Sequence, residues 1–144
     1  MKKILVVEDD PVNSMILSDF LAANGYETIA AASGPEGIER FERDLPDLML
    51  VDVQLPRKSG FEVVREIKAM PRGATTPILL MSAVYSDRDQ SMVDRAAIRR
   101  RFLRGEPSES FRTVELGALA DGYLAKPFDL VDLLDQVKQL LGPR

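Results

Sequence analysis

The sequence predicts an α/β fold built on a parallel sheet with helices on both faces. Three observations predict it. Short apolar runs, Ile4–Val7, Leu48–Val51, Ile78–Met81 and Tyr123–Ala125, are continuous rather than alternating. That is the pattern of strands buried on both faces. Helical patterns stand between the runs, which calls for right-handed crossovers. Each run also ends on polar residues: Glu8-Asp9-Asp10, Asp52, Ser82 and Lys126. Ligands of an open α/β sheet bind outside the carboxyl ends of its strands. These acids, a hydroxyl and a lysine therefore gather at one sheet edge, a set able to hold a divalent cation and a transferable phosphoryl group.

The elements follow in order. Asp10 is a good N-cap for the first helix, with Pro11 at its first position. Met15, Leu17, Phe20 and Leu21 supply the apolar stripe, and Asn24-Gly25 stops the helix. Tyr26 to Ala31 reads as the second strand. A helix from about Gly34 to Arg43 turns Ile38 and Phe41 inward, and Leu45-Pro46-Asp47 breaks it before the third strand. Phe61, Val64, Ile67 and Met70 recur at helical spacing, so a third helix runs to about Met70. The fourth strand ends near Ser82 and the fifth spans about Gly122 to Ala125. Leu130, Leu133, Leu134, Val137, Leu140 and Leu141 make the last helix amphipathic.

Composition narrows the chemistry. A chain of 144 residues with 45% hydrophobic side chains suits one domain, expected over residues 1–144. The absence of cysteine removes disulfides and thiolate chemistry, and fits a cytoplasmic protein. The absence of histidine is more informative. It excludes a Ser-His-Asp triad, a His-ligated zinc and a histidine base. A phosphohistidine donor would have to sit on another molecule. The four apolar residues after Met1-Lys2-Lys3 are too few for a signal peptide or membrane span, so no membrane partner is expected. A net charge of −4 argues against direct nucleic-acid binding.

Five motifs in order at strand ends carry a resemblance. Val7-Glu8-Asp9-Asp10-Pro11, Asp47 to Pro56, Ser59-Gly60-Phe61, Ser82-Ala83 and Tyr123-Leu124-Ala125-Lys126-Pro127-Phe128 resemble the receiver domain of two-component response regulators. The resemblance implies a flavodoxin-like (βα)5 sandwich of three layers with strand order 2-1-3-4-5. It implies Asp52 as the phospho-acceptor, and Mg²⁺ (or Mn²⁺) held by Asp10, Asp52 and the backbone carbonyl of Gln54, with Asp9 acting through water. Lys126 and the Ser82 hydroxyl would each take a phosphoryl oxygen. Ser82 and Tyr123 would form the switch. The partners implied are a sensor histidine kinase or histidine phosphotransfer protein, and a downstream protein target. A receiver is a phospho-acceptor rather than a turnover enzyme.

The chemistry of these residue types agrees. A carboxylate nucleophile beside two further acids needs a hard cation to approach an anionic phosphoryl group. A loose transition state asks mainly for positioning and charge neutralisation. Each residue also has a plainer reading. Asp10 caps a helix, Lys126 could be a solvated lysine, and Tyr123 could simply pack.

The stretch from Ala83 to Asp121 is too long for one helix and two short loops. An extended or extra helix is therefore expected in an insert over about residues 84–120, with one helix from about Arg88 to Leu103 and a second over Ser110 to Ala120. Arg95, Arg99, Arg100, Arg101 and Arg104 fall in a run without any acid. They read either as a solvated helix face or as a docking surface for an acidic partner or a second copy in a homodimer. No output domain is expected after the last helix, which would fit a single-domain regulator, a phosphorelay shuttle or a receiver from a larger regulator. Two other classes compete. One is a non-phosphorylated pseudo-receiver acting as an interaction module. The other is a flavodoxin-like cofactor binder, disfavoured because Asp-Asp-Pro in the first βα loop would repel a phosphate.

Overall fold

A computed structural model describes residues 1–82 and 120–142. Among the described residues there are nine elements: β1 (Lys3–Val7), α1 (Pro11–Ala23), β2 (Glu27–Ala31), α2 (Gly34–Asp44), β3 (Leu48–Asp52), α3 (Gly60–Lys68), β4 (Ile78–Ser82), β5 (Gly122–Ala125) and α4 (Leu130–Leu141). The strands form one parallel sheet in the order β2-β1-β3-β4-β5. This is the flavodoxin-like order expected. The helices proposed for the insert, and Arg95, Arg99, Arg100, Arg101 and Arg104 with them, lie outside the described residues.

The continuous apolar runs serve two cores at once. Along β1, Ile4 and Val6 pack with Leu17 and Leu21 of α1 and with Leu133 and Val137 of α4. Leu5 and Val7 face the other way, onto Phe41 of α2 and Val63, Val64 and Ile67 of α3. Period-two alternation sends successive side chains to opposite faces, so each buried strand must be apolar at every position. β3 and β4 are buried at all five positions and obey this up to their last residues, Asp52 and Ser82.

Local signals set the helix ends. Asp10 caps α1 and Ser33 caps α2, where Ser33 Oγ accepts the Glu36 N–H and Glu36 Oε1 accepts the Ala32 N–H at 2.8 Å. Ser59 caps α3 in the same manner. α2 ends at Leu45, whose left-handed backbone (φ 48°) donates its N–H to the Phe41 carbonyl. One expected core residue is corrected. Met15 is 56% exposed, while Leu17 and Leu21 are buried. At about 100° per residue, Met15 stands roughly 200° from Leu17 and faces outward. Helix α3 also stops at Lys68 rather than Met70.

Candidate functional site

Four of the strands deliver one group each to the carboxyl edge of the sheet. Glu8 follows β1, Asp52 ends β3, Ser82 ends β4 and Lys126 follows β5. The chain ties these ends together through the backbone. Glu8 donates its N–H to the Ala31 carbonyl at 3.0 Å, Val53 to Met81 at 2.8 Å and Lys126 to Ser82 at 2.8 Å. Glu8, Asp52 and Ser82 are all buried.

The Lys126 ammonium stands between two carboxylates, 2.7 Å from Asp52 Oδ2 and 3.2 Å from Glu8 Oε1. The other oxygen of Asp52 accepts the Gln54 backbone N–H at 2.9 Å, which fixes the carboxylate's orientation. Glu8, Asp9 and Asp52 each offer a carboxylate oxygen, and these atoms lie within 4.8 Å of one another. Glu8 and Lys126 also line an open cleft of about 440 Å³ together with Asn13, Ile16 and Phe128.

The electrostatics follow from this crowding. Burial raises the Glu8 carboxyl, and the neighbouring Asp52 carboxylate raises it further. Lys126 opposes both only in part, and the pKa moves from 4.5 to about 7. Burial alone would lower the Lys126 pKa, but Asp52 and Glu8 outweigh it and the net direction is upward. Three carboxylates facing one ammonium leave an excess of negative charge. Glu8 Oε2 is buried and has no hydrogen-bond partner. An oxygen-only donor set with an orphaned carboxylate oxygen fits a hard divalent cation.

The expected acids are corrected by one position. Asp10 does not belong to the carboxylate group; Glu8 does. Asp10 is exposed, and its Oδ1 accepts the Val12 N–H at 3.0 Å as the cap of α1. The signal for Glu8 was present, because it is the first polar residue after the β1 run. Pro11 was the matching signal that Asp10 belongs to the helix. Asp9 and Asp52 lie in the cluster as expected, and Gln54 lies beside Asp52 through its backbone. Tyr123 is half-buried and packs on the α2/α3 side of the sheet, opposite Leu80 of β4. It lies on β5, the strand that leads to Lys126.

An acidic pocket at the end of a five-stranded parallel sheet, closed by a lysine from the last strand, defines a phosphoryl-handling α/β domain. Residues 4–101 match the model of the response regulator receiver domain, and the chain belongs to that family. It is similar to the phosphate regulon transcriptional regulatory protein PhoB of Rhizobium meliloti, at 33% identity over 98% of this chain and 52% of that protein. The polar-differentiation response regulator DivK of Brucella ovis is 26% identical, over 98% of this chain and 97% of that one. The chain thus spans about half the length of the first relative and nearly all of the second. Among solved structures, response regulator protein TrrA from Thermotoga maritima, in complex with Mg²⁺-BeF, superposes with a TM-score of 0.73 and 29% identity, covering 98% of this chain and all of that one.

Proposed function

We propose that this receiver accepts a phosphoryl group on Asp52 from a partner's phosphohistidine and changes its affinity for a downstream protein as a result. The observation that carries the reading is the 2.7 Å contact between Lys126 and Asp52 beside the Glu8–Asp9 pair. Asp52 attacks phosphorus, the donor's P–N bond breaks, and an aspartyl phosphate forms. Lys126 then exchanges a carboxylate oxygen for a phosphoryl oxygen, and Ser82 offers a hydroxyl to a further one. Gln54 holds the unreacted Asp52 oxygen through its N–H.

Asp9, Asp52 and the Gln54 carbonyl are the ligands we assign to Mg²⁺, or Mn²⁺ in its place, with the buried Glu8 completing the same carboxylate group. The metal supplies charge neutralisation at the transferring phosphoryl group. The complex of TrrA with Mg²⁺-BeF supports this assignment by similarity. Ser82 and Tyr123 are the switch we assign, a two-state element biased by the new phosphoryl contact. The donor is a sensor histidine kinase or a histidine phosphotransfer protein. Ile16, which lines the cleft with Lys126, and Val12 and Met15 on the same helix are exposed and support approach from that side. The chain acts as a phospho-acceptor rather than a turnover enzyme, in the cytoplasm. No helix among the described residues is long and apolar enough to cross a membrane.

Incubation with acetyl phosphate tests the reading. Intact mass should show one added phosphoryl group in Mg²⁺ and none in EDTA. An unchanged mass in both samples would favour the pseudo-receiver alternative.

A further inference from the structure

Two aspartates far from the site are tied to their neighbouring strands in the same way. Asp47 precedes β3. Its N–H donates to the Lys3 carbonyl at 2.8 Å, and its Oδ2 accepts the Lys3 backbone N–H at 2.7 Å. Asp121 precedes β5. Its N–H donates to the Ile78 carbonyl at 2.9 Å, and its Oδ2 accepts the Ile78 backbone N–H at 2.8 Å. Each aspartate closes a ring with the first residue of the adjacent strand, β1 or β4. Each also stands five residues before a charged group of the site, Asp52 in one case and Lys126 in the other.

The two clamps do not matter equally. β3 is held by β1 on one side and β4 on the other. β5 has four residues and, among the described residues, lies at the sheet edge, paired with β4 alone. A slip of one residue turns every side chain of a strand to the opposite face. On β5 that slip would carry Lys126 away from Asp52. The Asp121 clamp is also reinforced. Its Oδ2 takes the Lys68 ammonium at 2.8 Å, and the same ammonium donates to the Thr76 carbonyl at 2.7 Å. Lys68 closes α3, so α3, β4 and β5 meet at one carboxylate.

We propose that Asp121 is a positioning residue for Lys126, with Lys68 as its counter-ion. It fixes the register of β5 and thereby the place of the ammonium over Asp52, roughly 16 Å away at about 3.3 Å per strand residue. The inference rests on the phosphoryl-accepting role proposed for Asp52 and Lys126.

The test is a rate of Asp52 phosphorylation by acetyl phosphate at saturating Mg²⁺, below every variant's melting transition. Asp121→Ala should slow the reaction about tenfold, since misplacement of about 1 Å can cost up to about a hundredfold. Mg²⁺ affinity, read by calorimetry, should be unchanged, because β5 contributes no carboxylate to the metal group. Asp121→Asn keeps an acceptor for the Ile78 N–H and should restore most of the rate. A residue that acts only through Lys126 has nothing left to lose in a Lys126→Ala background, so Asp121→Ala should add no further loss there. Should Asp121→Ala fail to fold, Lys68→Met carries the same cycle with a smaller deficit. A wild-type rate for Asp121→Ala, or an equal loss in the Lys126→Ala background, overturns the proposal while leaving the role of Lys126 intact. A wild-type rate for Lys126→Ala itself overturns that role and the positioning idea with it.

Discussion

Asp10 Oδ1 accepts the Val12 backbone N–H at 3.0 Å, which commits the Asp10 carboxylate to helix α1 while Asp9, one residue earlier, turns to the site. The two neighbours therefore fail in opposite ways. Asp10→Ala should cost about 1 kcal/mol of stability, as loss of an N-cap does, and leave Mg²⁺ affinity nearly unchanged. Asp9→Ala should leave stability nearly unchanged and weaken Mg²⁺ binding. Thermal melts with and without millimolar Mg²⁺ measure both effects, since a ligand that binds the folded state raises its melting point. Equal loss of the Mg²⁺-induced shift in both variants would return Asp10 to the metal group.

Glu8 gives a pH dependence with a definite sign. Its folded-state pKa, about 7, lies above the ordinary 4.5. The stability it contributes is therefore fully present below about pH 4.5 and is lost as pH rises through 7. Metal-free wild type should lose stability between pH 5 and pH 8 relative to Glu8→Gln, which carries no titrating group there. Urea midpoints at the two pH values check this. A wild-type curve parallel to that of Glu8→Gln would show that Glu8 is ionised throughout.

Gly60 opens α3 against the backbone of Asp52. A Cβ at this position would stand 2.3 Å from the Asp52 carbonyl oxygen and 2.7 Å from Val53 Cα. Both are backbone atoms, so the β3–α3 loop must move. Gly60→Ala should destabilise the domain by about 1–3 kcal/mol, the usual cost of overpacking, and slow phosphorylation of Asp52 even when folded. Chemical denaturation and the acetyl phosphate rate measure the two effects. A folded variant with wild-type stability and rate would mean that the loop yields freely.

The fold was legible because its signals are local and repeated. β1, β3 and β4 are apolar at their buried positions up to the polar ends Asp52 and Ser82, and Asp10-Pro11 marks the start of α1 where the structure has it. Asp52 and Lys126 were legible because the topology leaves nowhere else for a strand-end group to go. Glu8 was passed over although it directly follows the β1 run, because three acids in a row offer three candidates, and the β1 ladder, which extends to the Glu8 N–H, brings Glu8 to the site beside Asp9. Asp47 and Asp121 read as ordinary loop residues. Their roles depend on partners in sequence-distant strands, Lys3 and Ile78, which no local pattern reveals. Met15 was misplaced because an apolar residue near a stripe looks like part of it until helical phase is counted.

In the proposed reaction Asp52 alone takes the phosphoryl group. After incubation with Mg²⁺ and acetyl phosphate, borohydride should reduce the acyl phosphate, and peptide mapping should find the reduced residue at position 52 only. Hydroxylamine should remove the label from unreduced protein, and Asp52→Asn should take none. Label on Asp52→Asn, or reduction at Glu8 or Asp9 in the wild type, would contradict the account.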